Sequence, residues 1–296
     1  MRTRSRGRRT AATLALVAAL TLVASVAWSV PTAIDDVLLT GPQGAEWDAE
    51  GDYDYGSGGP CYAREGFTPA DDASNDYSSD VFDGGLYLLV NGQTFGAGIE
   101  TGNLTGQQLK VGPQKLRGVK VTRTERALQT SPTLRSLIRF KNPTNNERSL
   151  TLIWDSALGA DDDEETRASS NPPNLAHTKF DRWIVASDNA DSESLSDPPV
   201  TFVFFGKSAP TRVARVLYAP EDPDPAGDRE GCVSVRLRIK VPAKSARFLL
   251  FFTEIGLSNE ANISMARKFN KRGLNNALLK GIPKNVRNKV LNWDLG

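Results

Sequence analysis

Val233-Ser234-Val235-Arg236-Leu237-Arg238-Ile239-Lys240-Val241 alternates apolar and polar residues without interruption. Successive side chains of a strand point to opposite faces, so this period of two reads as a strand with one buried face and one wet face. Val233, Val235, Leu237, Ile239 and Val241 are expected against a core, and Ser234, Arg236, Arg238 and Lys240 against water. Pro242-Ala243-Lys244-Ser245 supplies a turn, and residues 246–252 read as a further strand, so the two segments are expected to pair as a hairpin.

The same texture extends upstream. Leu86-Tyr87-Leu88-Leu89-Val90 runs into Asn91-Gly92, the dipeptide that a two-residue type I′ hairpin turn prefers, and Gln93-Thr94-Phe95 begins the return. Residues 119–123 and 149–154 alternate, the latter with Leu150, Leu152 and Trp154 on one face, and 134–140 reads as a strand that ends at the turn Asn142-Pro143-Thr144-Asn145-Asn146. Further strands are expected at 182–186, 201–205 and 212–217. About ten short strands without intervening helices predict a mainly β protein, an antiparallel β-sandwich; a parallel sheet would need crossover helices. After Gly256 the period changes to a helical one. Ser258 or Asn259 can cap a helix that carries Ile263, Ala266 and Phe269. A second short helix is expected around Leu274, Ala277 and Leu278, stopping at Gly281. Pro283 suits the first turn of a third, with Val286, Val290 and Leu291 buried and Trp293 just beyond.

Upstream of residue 30 the composition differs. Arg2, Arg4, Arg6, Arg8 and Arg9 precede a mostly apolar run from Ala11 to Val30, and Ser25-Val26-Ala27 offers small residues for a signal peptidase. Residues 1–27 are therefore expected to be a signal peptide, and the protein to be exported, extracellular or in the cell envelope. Left uncleaved, the same segment would serve as a membrane anchor with its Arg cluster in the cytoplasm. The whole chain carries 36 basic and 35 acidic side chains; removing residues 1–27 leaves 31 against 35. A net charge near −4 gives no general reason to expect nucleic acid as a partner. Residues 34–83 hold 13 acids and only Arg64 as a base, so 28–79 is expected to be an acidic, poorly ordered leader. The expected sandwich then occupies 80–256 and the helical segment 257–296. In an oxidising compartment Cys61 and Cys232 could form a disulfide.

Several stretches occur together in order: Phe82-Asp83-Gly84-Gly85-Leu86, Leu116-Arg117-Gly118-Val119-Lys120, Phe140-Lys141-Asn142-Pro143-Thr144, Leu158-Gly159-Ala160-Asp161, Phe180-Asp181-Arg182-Trp183, Val241-Pro242-Ala243 and Leu291-Asn292-Trp293-Asp294. Together they resemble a group of uncharacterised bacterial secreted or cell-surface proteins built on a β-sandwich module with a short helical tail. The resemblance spans roughly residues 80–296. It implies a compartment and a fold, and brings no catalytic residues with it.

Direct chemical signals are few. A single His excludes any site built on two imidazoles, and His177 has no Gly-x-Ser-x-Gly elbow to accompany it. Asp161, Asp162, Asp163, Glu164 and Glu165 are adjacent carboxylates whose repulsion a Ca2+ ion would relieve, so Asp161, Asp162, Asp163 and Glu165 are the candidate metal ligands. Glu221-Asp222-Pro223-Asp224 and Asp188-Asn189-Ala190-Asp191 are weaker versions. No other cofactor is implied. Trp154, Trp183, Phe202, Phe204, Phe205, Phe248, Phe251 and Phe252 fall in strands and are expected in the core rather than on a sugar-stacking surface. Arg182 beside Asp181 is expected to form a structural ion pair or a hydrogen-bonding corner. The resulting expectation is a non-catalytic exported module that binds a cell-envelope polymer or a surface protein, with a glycan or Ca2+-dependent ligand in view. Alternatives are a carbohydrate-active enzyme using paired carboxylates and an envelope-anchored structural protein.

Overall fold

The computed structural model describes residues 29–53, 66–76, 81–82, 84–159, 165–170, 178–187, 198–223 and 229–295. Its strands run β1 (Val30–Ala33), β2 (Val37–Thr40), β3 (Glu46–Tyr53), β4 (Gly66–Thr68), β5 (Ala73–Ser74) and β6 (Tyr87–Val90). Next come β7 (Gln93–Thr94), β8 (Thr101–Leu104), β9 (Gln108–Leu116), β10 (Val119–Ala127), β11 (Thr133–Lys141) and β12 (Arg148–Ala157). The last are β13 (Glu165–Ser169), β14 (Trp183–Ser187), β15 (Val200–Val203), β16 (Val213–Pro223), β17 (Arg229–Val241) and β18 (Ala246–Ile255). Helix α1 (Asn259–Arg267) and the single turn α2 (Lys284–Arg287) follow.

These strands form a nine-stranded sheet ordered β1-β8-β9-β10-β11-β18-β15-β14-β13 and a five-stranded sheet ordered β16-β17-β12-β6-β7. A small sheet of β2, β3 and β4, with β5 also on β3, completes the fold. The mainly β, antiparallel architecture is as the alternation predicts. Hydrophobic residues from both large sheets share one core: Leu152, Trp154, Val235 and Leu237 from one side, Val121, Ile138, Leu249 and Phe251 from the other. Trp154 and Phe251 meet across it with ring centroids 4.2 Å apart. The hairpin at Asn91-Gly92 forms as expected, with φ of 49° and 77° at the turn and Val90 paired with Gln93.

The expected hairpin between residues 233–241 and 246–252 does not form. β17 pairs with β12 and β16, whereas β18 pairs with β11 and β15, so the turn at Pro242-Ala243-Lys244-Ser245 carries the chain from one sheet to the other. The turn after β11 makes the same crossing, and Asn142 ties the two together. Its Nδ2 donates to the carbonyls of Asn146, Val241 and Pro242, while its Oδ1 accepts from the N–H and hydroxyl of Thr144. Alternation dictates a buried face but not a partner, and an amide that bonds both turns favours the crossing over a hairpin.

The acidic stretch is also corrected. In its described residues, 29–53 and 66–76, strands β1 to β5 replace the expected poorly ordered leader. Trp47 and Phe67 are fully buried in the main core with Ile34, Val37 and Leu39. The acids of β3 alternate with core residues: Trp47 and Ala49 are buried, Asp48 is exposed and Glu46 and Glu50 are half-buried. High charge on one face is compatible with burial of the other.

The C-terminal segment covers the outer face of the nine-stranded sheet around β14, β15 and β18. Trp183, Val185, Val203, Phe248, Leu250 and Phe252 form a second hydrophobic cluster with Ala266, Phe269, Leu279, Ile282, Val290 and Trp293. Ser258 caps α1, its hydroxyl accepting the Ala261 N–H at 3.2 Å. The second expected helix is instead a run of turns. Arg135 accounts for this locally: its guanidinium donates to the carbonyls of Leu278 and Lys280, giving them partners outside a helix. Asn292 fixes the far end to β18, accepting the Leu250 N–H and donating to the carbonyls of Leu250 and Phe204. A Cβ added at Gly206 would lie 2.4 Å from the Trp293 ring, so only glycine fits beneath that indole.

Candidate functional site

The C-terminal segment thus covers the nine-stranded sheet around β14, β15 and β18, and the outer face of the five-stranded sheet is a separate strand surface open to a ligand. Register and alternation decide what it presents. From β17 come Ser234, Arg236, Arg238 and Lys240; opposite them on β12 stand Asp155, Ile153, Thr151 and Ser149, in that order. β16 adds Arg215, directly across from Arg236, and Leu217, across from Ser234. β6 contributes Tyr87 and Leu89, across from Asp155 and Ile153. Arg215, Arg236, Arg238 and Lys240 are all exposed.

Two hollows lie along this row. The larger, about 480 Å³, opens where β16 stops: Val213 pairs with Leu237, and the described ladder between β16 and β17 goes no further in that direction. Leu150, Ile239 and Leu291 make its apolar floor, and the hydroxyls of Ser149, Thr151 and Thr211 stand at its rim beside Arg238 and Lys240. The smaller, about 230 Å³, lies between Arg215 and Arg236 over Leu89, Ile153 and Asp155. Asp155 is buried at its base. Lys240 has one acid within reach, Glu147 at 3.4 Å, in a solvent-exposed pair of the kind worth at most about 1 kcal/mol. A concave surface combining an apolar floor, hydroxyls and cations can hold a polar ligand, with hydrogen bonds for orientation and charge for attraction.

The residues singled out by sequence are distributed elsewhere. Asp161, Asp162, Asp163, Glu164, His177, Asp188 and Asp191 lie outside the described residues, as does Cys61. Glu165 opens β13, where its backbone pairs with Ser187. Among the described residues no group of three or more His, Cys, Asp or Glu is placed to hold a metal ion. Cys232 is buried on β17. All eight expected core aromatics are buried, so none presents a ring to a sugar. Asp181 and Arg182 form a corner as anticipated, without pairing to each other: Asp181 accepts from the N–H and hydroxyl of Thr178, and Arg182 donates to Asn270. Asn142, Asp181, Arg182, Asn292 and Trp293, all within the stretches that carry the resemblance, thus serve structural bonds.

Three carboxyl groups, two buried and one half-buried, invite comparison with catalysis. Burial, followed by a hydrogen bond and charge from Glu50, pushes Asp71 up to about 7. Glu254 is also raised to about 7, chiefly by burial, and sits under α1 away from both hollows. Glu125 is fully buried in a pair with Arg123. The facing of Arg236, Arg238 and Lys240 was legible from alternation alone. Arg215 and the hollows were not, because they depend on cross-strand register and on where a neighbouring strand ends.

No protein-family model matches the chain, and no curated protein matches it significantly. No helix among the described residues is long and apolar enough to cross a membrane.

Proposed function

We propose that this chain is an exported, non-catalytic β-sandwich protein that binds a cell-envelope glycan on the open face of its five-stranded sheet. The observation that carries the reading is the 480 Å³ hollow, where hydroxyls and two cations rim an apolar floor of Leu150, Ile239 and Leu291. The arginine-rich, then apolar N-terminal segment supports export, and the resemblance to secreted surface modules agrees with it. A disulfide between Cys61 and Cys232 belongs to the same reading, as does a Ca2+-binding loop at 161–165.

Co-sedimentation of the purified chain with cell-wall and polysaccharide suspensions, with and without chelator, tests the proposal. Saturable pelleting supports a binding module. Loss of pelleting with chelator assigns the contact to the carboxylates of 161–165 rather than to the open sheet face. Failure to pellet with any polymer overturns the reading in favour of a protein partner or a soluble substrate.

A further inference from the structure

The open sheet face has a charge pattern that narrows the ligand, an inference that rests on the binding-module reading above. Arg236, Arg238 and Lys240 follow one another at every second position of β17, so their Cα atoms repeat at roughly 6.8 Å, twice the rise of a strand. Arg215 widens the row at one end, directly opposite Arg236. Like charges placed opposite on adjacent strands destabilise a sheet, and an anion lying between two guanidiniums reverses that repulsion. Two acids stand beside the row: Asp155, buried at the base of the smaller hollow, and Glu147, paired with Lys240. The whole chain is nearly balanced, with 36 bases against 35 acids, so the row is a local excess of positive charge.

We infer that the ligand is a linear acidic polysaccharide or polyol phosphate that lies along β17, with successive anionic groups held by Arg215, Arg236, Arg238 and Lys240. Repetition of the cations at a regular pitch fits a chain with one charge per repeat better than a ligand with a single anionic group. The hydroxyls of Ser149, Thr151 and Thr211 stand where sugar or polyol hydroxyls of the same chain would pass. Single-stranded nucleic acid fits less well. Such strands are bound by stacking bases on aromatic rings, and Tyr87, the aromatic that β6 directs to this face, is buried.

Affinity is to be measured for polygalacturonate, poly(glycerol phosphate), dextran and poly(U) over a range of salt concentrations. The variants are Arg236→Gln/Arg238→Gln and, as a control on the tail, Lys284→Gln. Both acidic polymers, or one of them, are expected to bind well above dextran; whichever binds tighter identifies the anion as carboxylate or phosphate. Each cation removed is expected to weaken binding about fivefold at low salt, so about twenty-five-fold for the double variant. The log–log salt slope should flatten by about 0.7–0.9 for every anion that no longer has its cation. Lys284→Gln should bind like the parent, and equal unfolding midpoints would show that all variants are folded. Binding of dextran as tight as that of the acidic polymers, unchanged in the double variant, overturns the polyanion inference while leaving a glycan module in place. Preference for poly(U) overturns it in favour of nucleic acid. Absence of binding to every polymer overturns the module reading itself.

Discussion

Arg123 is fully buried with its guanidinium carbon 5.1 Å from the ring centres of both Phe67 and Trp154. It donates to Glu125 and to the Leu86 carbonyl, each at 2.8 Å, and the Ser136 hydroxyl donates to the same Glu125 carboxylate. Removing one member of such a pair strands a charge in the core. Arg123→Ala is therefore expected to cost about 3–5 kcal/mol, whereas Arg123→Met with Glu125→Met should be close to neutral. Urea unfolding midpoints of the two variants would check the contrast. Glu254 supplies a pH dependence. Its folded pKa, about 7, lies above the ordinary value of 4.5, and its Oε1 accepts the Thr133 hydroxyl at 2.9 Å. Between those two values the unfolded chain gives up a proton that the folded chain keeps, so stability falls as pH rises from about 4.5 to 7 and levels off above. The 2.5-unit difference corresponds to about 3 kcal/mol. Glu254→Gln should match the parent near pH 4 and exceed it by up to that amount at pH 8. Parallel pH slopes for the two proteins in calorimetry would refute the assignment.

Among the elements, the C-terminal segment depends on a few side-chain-to-backbone bonds. Asn292 satisfies three backbone groups of β18 and the Phe204 loop, and Trp293 Nε1 donates to the Leu250 carbonyl. Asn292→Ala leaves the Leu250 N–H and the Phe204 carbonyl without this partner, while the Leu250 carbonyl keeps Trp293, for an expected loss of about 2 kcal/mol or more. Limited proteolysis should then cut first within 257–295, before the sheets open. The strands themselves were readable because Val119, Leu152 or Val235 alternate with polar neighbours, and sterics allow few other outcomes for that pattern. Their assignment to sheets was not readable: the same Pro-Ala-Lys-Ser sequence serves a hairpin or a crossing, and the deciding bonds come from Asn142, about a hundred residues away. The acidic stretch did hold its signal. Glu46-Trp47-Asp48-Ala49-Glu50 has period two, but composition, averaged over the segment, hid it. The open face was half legible. The pattern gave the direction of Arg236 and Arg238, while the opposing Arg215 requires the register.

At the scale of the whole molecule, the two large sheets have different surroundings. Around β14, β15 and β18 the nine-stranded sheet lies between two hydrophobic clusters, and the five-stranded sheet has one face against the core and one toward solvent. If Cys61 and Cys232 join as the export reading expects, the bridge closes a loop of most of the molecule. On the chain-entropy model it stabilises by up to about 5 kcal/mol. Peptide mapping without reductant should recover the linked pair, and reduction should lower the unfolding midpoint; recovery of two free thiols from exported protein would refute the pairing. The order of strands also sets a timetable. In the nine-stranded sheet β18 lies between β11 and β15, joining β1-β8-β9-β10-β11 to β15-β14-β13. Both halves precede it in the chain, so a ribosome or a translocation pore delivers the joining strand last, and until then each half has an unpaired edge. Such a chain gains little by folding early and stays threadable while it is being made. The same delay makes a chain stalled before residue 246 a species with two adhesive sheet edges, one for the cell's quality control to find.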